Sequence, residues 1–582
     1  MAGRAELTSK VAIIGIYMVT AILIHAVERL ADRATHADVE ATFDAVIAQP
    51  PPAYGTNVWW SDQEANLWTE RWAELGPSHV RLFVSHALIE PENDNDDPNV
   101  INWDEFRFES PISVPIAGIP SFTYRAWFEA LRDQAELDIV IHFVYLAPWL
   151  SDNSPHMGIG APYPPNDLDE YEEFVEAVLR YLVDTLGFPP ERLTIEAMNE
   201  PDLGCGVDPV TFCFWDDWTM GDIVDVVHVT HEVIENVDPK IALIGLAECC
   251  GTDVVRNLLD HYSEGDDLDG VSYHYYSPSG YNLTPALSRA AELAPYKLPI
   301  YFDEYGSREY LSDGVDGALW HSWALLTLWK AGIAPLQYPI SEFQAVGEPY
   351  SSMGLFENSE GGWRRKPSYW VYVNFFDHVG GGEIISHSSS LQAEVDVLAA
   401  RHILTDSVRS SFWVVNRGVS PLSNCSFTLH GFPYEETTLY AYDNLVGSGL
   451  SFTATITGSP LVFTAILPAR SSRTFVLSAG ETQRELDHVS LTPGVATVLA
   501  GQAMSYTLTA YDIQEASWDA TVFAVYTIEP GAGGEWAGHV YTAEVAGTWT
   551  VTGTYGGESD TATLEVWAPE AYLYLPLILR EK

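Results

Sequence analysis

The sequence predicts an α/β core, a (β/α)8 barrel, followed by two all-β sandwich domains. Three observations carry this reading. Eight apolar, strand-like runs alternate with eight helix-like stretches over roughly 330 residues, the pattern of a parallel barrel jacketed by helices. From about Glu383 the helical periodicity stops, and short segments rich in Thr, Ser, Val, Phe and Tyr take over. Near the C-terminus, "TWTVTGTY" (548–555) alternates strictly, with Trp549, Val551 and Tyr555 on one face and threonines on the other.

Taken in order, residues 1–52 read as a leader. Arg4 and Lys10 precede an apolar run from Val11 to Val27, which suits a secretory signal peptide or an uncleaved membrane anchor, and "QPPP" (49–52) reads as a linker. The barrel is expected over 53–380. Its strands are "TNVWW" (56–60), "HVRLFV" (79–84), "DIVIHFVY" (138–145), "LTIEAMNE" (193–200), "IALIGLAE" (241–248), "GVSYHYY" (270–276), "PIYFDEYG" (299–306) and "APLQYP" (334–339). Continuous apolar runs of this kind suit parallel strands covered on both faces. The helices are expected at Asp62–Leu75, Tyr124–Leu137, Leu168–Leu186, Asp217–Val237, Asp253–Tyr262, Pro285–Leu293, Gly317–Ala331 and Pro367–Phe376. A doubly wound open sheet would carry a Gly-rich phosphate turn after an early strand, and none is present. A β-sandwich accessory domain follows over 381–480, and an immunoglobulin-like β-sandwich over 485–568. The apolar tail 569–582 is too short to span a bilayer.

The chain has 582 residues, with 28 basic against 81 acidic side chains and a formal charge of -53. Such a surface argues against nucleic acid or anionic lipid as a partner, because both require a positive face. Of the five cysteines, Cys205 and Cys213 share a loop and are able to close it as a disulfide; the odd count leaves at least one thiol over. No Cys or His pair lies at metal-ligand spacing, and no metal or organic cofactor is expected. The acidic run "ENDNDDPN" (92–99) lacks the glycine and terminal glutamate of a calcium loop and reads as a solvated surface loop.

Chemistry points to the strand ends. In "TIEAMNEPDL" (194–203), Pro201 stops regular structure directly after Glu200 and so holds that carboxylate at a rim. Glu304 in "FDEYG" stands near the end of the seventh strand. In a barrel both ends open on one face. Two carboxyl groups facing one cavity are the minimum for hydrolysing a glycosidic bond, one as the acid and one as the nucleophile.

Asn199-Glu200-Pro201 on strand four with Glu304 on strand seven resembles the catalytic pair of the retaining (β/α)8 glycoside hydrolases of clan A, families 5 and 39 among them. Arg81, His142 and the His274-Tyr275-Tyr276 run match residue types found at strand ends in family 5. "RRKPSYW" (364–370) resembles the start of the last barrel helix in family 39. The resemblance covers about 53–380. It implies Glu200 as general acid/base and Glu304 as nucleophile, with Arg81 and Tyr276 as its donors. Asn199 would take the sugar 2-hydroxyl, and His142 and His274 would hold substrate hydroxyls or orient the carboxylates. Trp59, Trp60 and Trp149 would stack on sugar faces. Many relatives end strand eight on a tryptophan platform; Gln337 and Tyr338 stand there instead. The resemblance thus implies an exported retaining glycosidase acting on a poly- or oligosaccharide. A transglycosylase using the same intermediate and a non-catalytic carbohydrate-binding surface protein are the alternatives. A serine hydrolase is disfavoured, since no Gly-x-Ser-x-Gly elbow occurs.

Overall fold

The computed structural model describes residues 38–58, 71–95, 97–112, 122–134, 137–151, 161, 163–203, 218–249, 251, 253–261, 268–309, 314–342, 353–357, 363–390, 395–404, 407–447, 449–479, 486–512, 517–521, 524–537, 539–555 and 558–568. The run Val11–Val27, Cys205, Cys213, Trp59, Trp60 and the C-terminal tail lie outside these residues.

After a first strand, β1 (Asp38–Ala48), eight parallel strands close into a barrel: β2 (Gly55–Val58), β3 (His79–Ser85), β4 (Asp138–Val144), β5 (Leu193–Glu196), β6 (Ala242–Glu248), β7 (Gly270–Ser277), β8 (Ile300–Ser307) and β9 (Ile333–Gln337). These are the eight runs expected from the sequence, so the fourth barrel strand is β5 and the seventh is β8. Alternate residues of a strand share a face. The inner face is apolar at the bottom, where Val140, Ile244, Tyr301, Ala334 and Leu336 pack together with Ala53. Two residues further along, Val140 gives way to His142 and Tyr301 to Asp303. The upper interior is therefore polar.

The helices follow their apolar faces. Tyr124–Arg132 buries Tyr124, Trp127, Phe128 and Leu131, and Thr123 caps it by accepting from the Ala126 N–H at 3.2 Å. Met220–Val237 opens on a capping box between Thr219 and Asp222. Val315–Lys330 is buried nearly all round, Trp320 and Trp329 completely, because it is covered by the barrel on one side and by a β-sheet on the other.

That sheet corrects the expected organisation. Residues 38–48, read as leader, form β1, which pairs antiparallel with β10 (Glu383–Ser389) and parallel with β13 (Leu422–His430). The remaining strands are β11 (Val395–Ile403), β12 (Val408–Asn416), β14 (Glu436–Asp443), β15 (Leu450–Thr457), β16 (Leu461–Leu467) and β17 (Ser471–Ala479). The nine-stranded order is β15-β14-β17-β12-β11-β10-β1-β13-β16. The sheet folds back on itself, since Phe412 of β12 meets Phe427 of β13 with ring centroids 5.6 Å apart. Leader and strand are hard to separate by composition; only the distant partners at 384–389 and 426–430 give 38–48 a place.

Barrel and nine-stranded sheet form one compact unit, and residues 480–582 fall in a second. The second unit has a sandwich-like core around Leu508, Tyr541, Val551 and Leu564. Its strand Gly547–Tyr555 buries Val551 and Gly553, with Trp549 and Tyr555 packed on the same core.

The seam within the first unit is polar at one point. The Trp413 indole N–H donates to Ser322 Oγ at 2.9 Å, and Ser322 Oγ lies 2.6 Å from Ser472 Oγ. Trp413→Phe should lower the unfolding free energy by about 2–3 kcal/mol through lost burial and one lost hydrogen bond. Urea titration should show barrel and sheet still unfolding in one coincident transition; separate transitions would contradict the shared core.

Candidate active site

The upper barrel interior is organised by Arg81, which is fully buried. Its Nη1 donates to Glu304 Oε1 at 2.8 Å and to Asn57 Oδ1 at 3.0 Å. Its Nη2 donates to Asn199 Oδ1 and to Glu196 Oε2, both at 2.6 Å, and Nε reaches Glu196 Oε2 at 2.9 Å. Nε also lies 3.2 Å from Asp303 Oδ2. A planar five-donor fork is the side chain suited to such a set, and these carboxyl neighbours raise its pKa against the opposing effect of burial.

Glu200 follows β5 at the rim. Its N–H donates to the Ala247 carbonyl at 2.9 Å, and its φ is +50°, in the left-handed region. Its Oε1 is 2.8 Å from His274 Nδ1. Glu304 lies in the upper half of β8, with Tyr276 OH donating to its Oε2 at 2.8 Å. One oxygen of Glu200, one of Glu304 and a nitrogen of His274 all lie within 4.8 Å of one another. A cation would accept that spacing, but Arg81 and Tyr276 already aim donors at both Glu304 oxygens. The two carboxyl groups thus stand close to the ~5–5.5 Å of retaining glycosidases and short of the ~6.5–9.5 Å of inverting ones.

The electrostatics separate the groups. Burial lifts the Glu200 carboxyl above the ordinary range and the charge of Glu304 adds to this; His274 and Arg81 pull down without cancelling it. Burial disfavours a charged His274, yet Glu304 and Asp303 outweigh it and hold the imidazole well above its usual value. An imidazolium donating to Oε1 leaves the acid proton of Glu200 on its other oxygen. Burial also raises the Tyr276 phenol, helped by Glu304, so it stays a donor.

Arg81 donates to Glu304 as expected, while direct substrate contact by Arg81 and His142 does not fit their burial: both are fully buried, so neither reaches a sugar in the cavity. Arg81 holds the carboxyl groups and Asn199. His142 Nδ1 sits 3.2 Å from Asn199 Oδ1, and burial followed by the charges of Arg81 and His274 keeps its pKa well below the usual value. Both therefore act on the Asn199 amide rather than on substrate. Trp149, half-buried, donates its indole N–H to the Glu90 carbonyl at 3.1 Å and packs edge-on to His86. Tyr338 is half-buried near Tyr276 and Phe83, with ring centroids 6.4 and 6.5 Å away, and Gln337 is buried with its amide donating to the Met353 carbonyl at 3.0 Å. The loop at 92–99 is not solvated throughout: Asp94 is buried and accepts from the Asn102 N–H at 2.5 Å.

Asn57, Glu196, Ser272 and Asp303 escaped sequence reasoning. Their signal was a polar residue inside an otherwise apolar strand run, with Asp303 two places from the floor residue Tyr301 and Ser272 two places from His274.

No family model matches the chain, and no curated protein matches it. Solved structures do. A GH30 endoxylanase from Clostridium papyrosolvens superposes with a TM-score of 0.54 at 15% identity, over 76% of this chain and 100% of that one. A glucosidase from Croceicoccus marinus gives 0.58 at 13%, over 76% and 99%. A GH39 enzyme from Xanthomonas axonopodis pv. citri gives 0.51 at 14%, over 76% and 98%. At these identities the likeness is one of fold: this chain has the barrel-with-β-domain architecture of those glycosidases.

Proposed function

We propose that the protein is an exported retaining glycoside hydrolase that cleaves O-glycosidic bonds of a poly- or oligosaccharide with Glu200 and Glu304. The short carboxyl separation at the C-terminal mouth of the barrel carries the reading. The fold likeness to proteins described as xylanases, a glucosidase and an arabinofuranosidase supports it.

A Glu304 oxygen attacks the anomeric carbon as Glu200 gives its proton to the departing glycosidic oxygen, forming a glycosyl ester on Glu304. Glu200, now a carboxylate, takes a proton from water, whose oxygen attacks the same carbon and releases Glu304. Two inversions restore the original configuration. Arg81 and Tyr276 fix the two oxygens of Glu304, and His274 fixes Glu200. Arg81 and His142 hold the carbonyl end of the Asn199 amide, which orients it for the sugar 2-hydroxyl. Tyr338 replaces the tryptophan platform and shapes the innermost subsite. Export rests on Arg4, Lys10 and the Val11–Val27 run; among the described residues no helix is long and apolar enough to cross a membrane.

Glu304→Ala should lower kcat by at least about 10⁴-fold on every substrate of an aryl-glycoside and polysaccharide panel. Retained turnover would remove Glu304 as nucleophile. Glu200→Ala should cost about 10²–10⁴-fold on poor leaving groups and far less on activated aryl glycosides. Because Glu200 must be protonated to act, wild-type kcat/KM should fall as pH rises through its elevated pKa, a limb missing from Glu200→Ala with activated substrates. An unchanged limb in that variant would assign the acid elsewhere.

A further inference from the structure

Beneath the two glutamates lies a second pair of carboxyl groups that the reaction above does not use. Glu196 and Asp303 are both completely buried. Glu196 Oε2 accepts from Arg81 Nη2 and Nε, its Oε1 accepts from the Ser272 hydroxyl, and His142 Nδ1 lies 3.6 Å from Oε2. Asp303, like Glu304, touches both cations: its Oδ2 is 3.2 Å from Arg81 Nε, the same nitrogen that holds Glu196 Oε2 at 2.9 Å, and its Oδ1 is 3.4 Å from His274 Nε2. Yet with every carboxyl group ionised, neither Asp303 oxygen has a well-aligned donor among the described residues. Buried acceptors of this kind are costly unless hydrogen-bonded.

We propose that Glu196 and Asp303 share one proton, carried by Glu196 and donated to Asp303, and that this acid pair is the positioning device that holds Arg81 and His274 on the two working glutamates. The inference rests on the glycosidase reading for its kinetic consequences but not for the proton itself.

Charge balance leads to the same assignment. Four carboxyl groups face two cations, Arg81 and His274, in a space where no side chain of the set is more than 12% exposed. A neutral Glu196 beside a neutral acid Glu200 leaves two anions for two cations; an ionised Glu196 would leave an uncompensated buried charge. Burial pushes Glu196 up to about 8 despite Arg81, with Asp303 adding to the rise. Asp303 is held down at about 2, where Arg81 and then His274 overcome its burial. The groups facing the pair are thus Arg81 from β3, His142 from β4, Ser272 and His274 from β7, and the Tyr273 phenol within reach of Asp303's charge. The two members have different duties. Asp303 must be an anion, since it ties both cations together. Glu196 must be a neutral donor and acceptor, a task that an amide also performs.

Isosteric amides therefore distinguish them. Glu196→Gln should keep kcat/KM within about threefold, while Glu196→Leu, unable to accept from Arg81, should lose more than about 100-fold. Asp303→Asn should lose more than about 100-fold, and its basic limb should move to higher pH, because His274 gives up the charge that pulls Glu200 down. The proton is read without turnover from melting temperatures at about pH 5 and about pH 9. A carboxyl group whose pKa is higher folded than unfolded loses stability as pH rises from its unfolded value through its folded one. Wild type should therefore lose more on this rise than Glu196→Gln, which has nothing to titrate there. An equal loss in both, or a Glu196→Gln as impaired as Glu196→Leu, would overturn the shared proton. So would an Asp303→Asn with wild-type kinetics. If no glycoside is turned over at all, the melting comparison still decides.

Discussion

One buried guanidinium ties the mouth of this barrel together. Arg81 reaches Asn57 on the first barrel strand, Glu196 on the fourth and Asn199 just beyond it, and Asp303 and Glu304 on the seventh. An ion so placed has left water entirely, at a cost of several kcal/mol per charge that only close carboxylates and amide oxygens offset. The same contacts that neutralise it also fix the proposed nucleophile and the amide beside the proposed acid. Closure of the barrel and alignment of the chemistry are one interaction here. A lysine would offer a point charge where five directed donors are needed.

The surroundings let that polar cluster exist. Below it, Val140, Ile244, Tyr301 and Leu336 seal the barrel, so water enters only from the mouth. Outside it, the helix Val315–Lys330 is clamped against the folded nine-stranded sheet through Trp413, Ser322 and Ser472. β1, laid down before the barrel, joins β10 and β13, formed after it. The barrel is thus an insertion between two parts of one sheet, which explains why the two share a compact unit. The net charge of -53 lies largely on the rest of the molecule, and the proposed shared proton matches cations to anions in this cluster. A neutral sugar, the substrate proposed, needs no long-range field to find such a site.

Much of this was legible in the sequence, for definite reasons. Barrel strands announce themselves because both faces are buried and their runs are apolar throughout, as in "HVRLFV" and "DIVIHFVY". Glu200 was found because a proline marks where its strand stops, and Glu304 because it stands near the end of an apolar strand run. Arg81 does donate to Glu304 as expected, but direct sugar contact by Arg81 or His142 is ruled out by full burial, which composition does not record. Glu196 and Asp303 were passed over as ordinary neighbours of the motif glutamates. Their meaning arises only when β5 and β8 face each other across the interior, a relation between residues 107 apart (303 − 196) that no local pattern carries. β1 was missed for the same reason, its partners lying more than 300 residues away.

Glu200 shows what the site demands of the backbone. A non-glycine residue at φ +50° costs roughly 1–2 kcal/mol, and the residue before a proline is pushed toward extended conformations by the ring that follows. Glu200 defies both tendencies. Glycine would relieve the first but would remove the carboxyl group. What holds the conformation is tertiary: its N–H on the Ala247 carbonyl, its own carbonyl accepting from the Leu203 N–H at 2.9 Å, and its carboxyl group on His274. The left-handed turn swings the chain away from the strand direction at the point where the side chain has to stay over the mouth beside Glu304. Pro201 then prevents the strand from resuming its ladder. Local preference is overruled at this residue by partners from two other strands, and one of them, His274, also stands within reach of both carboxyl groups.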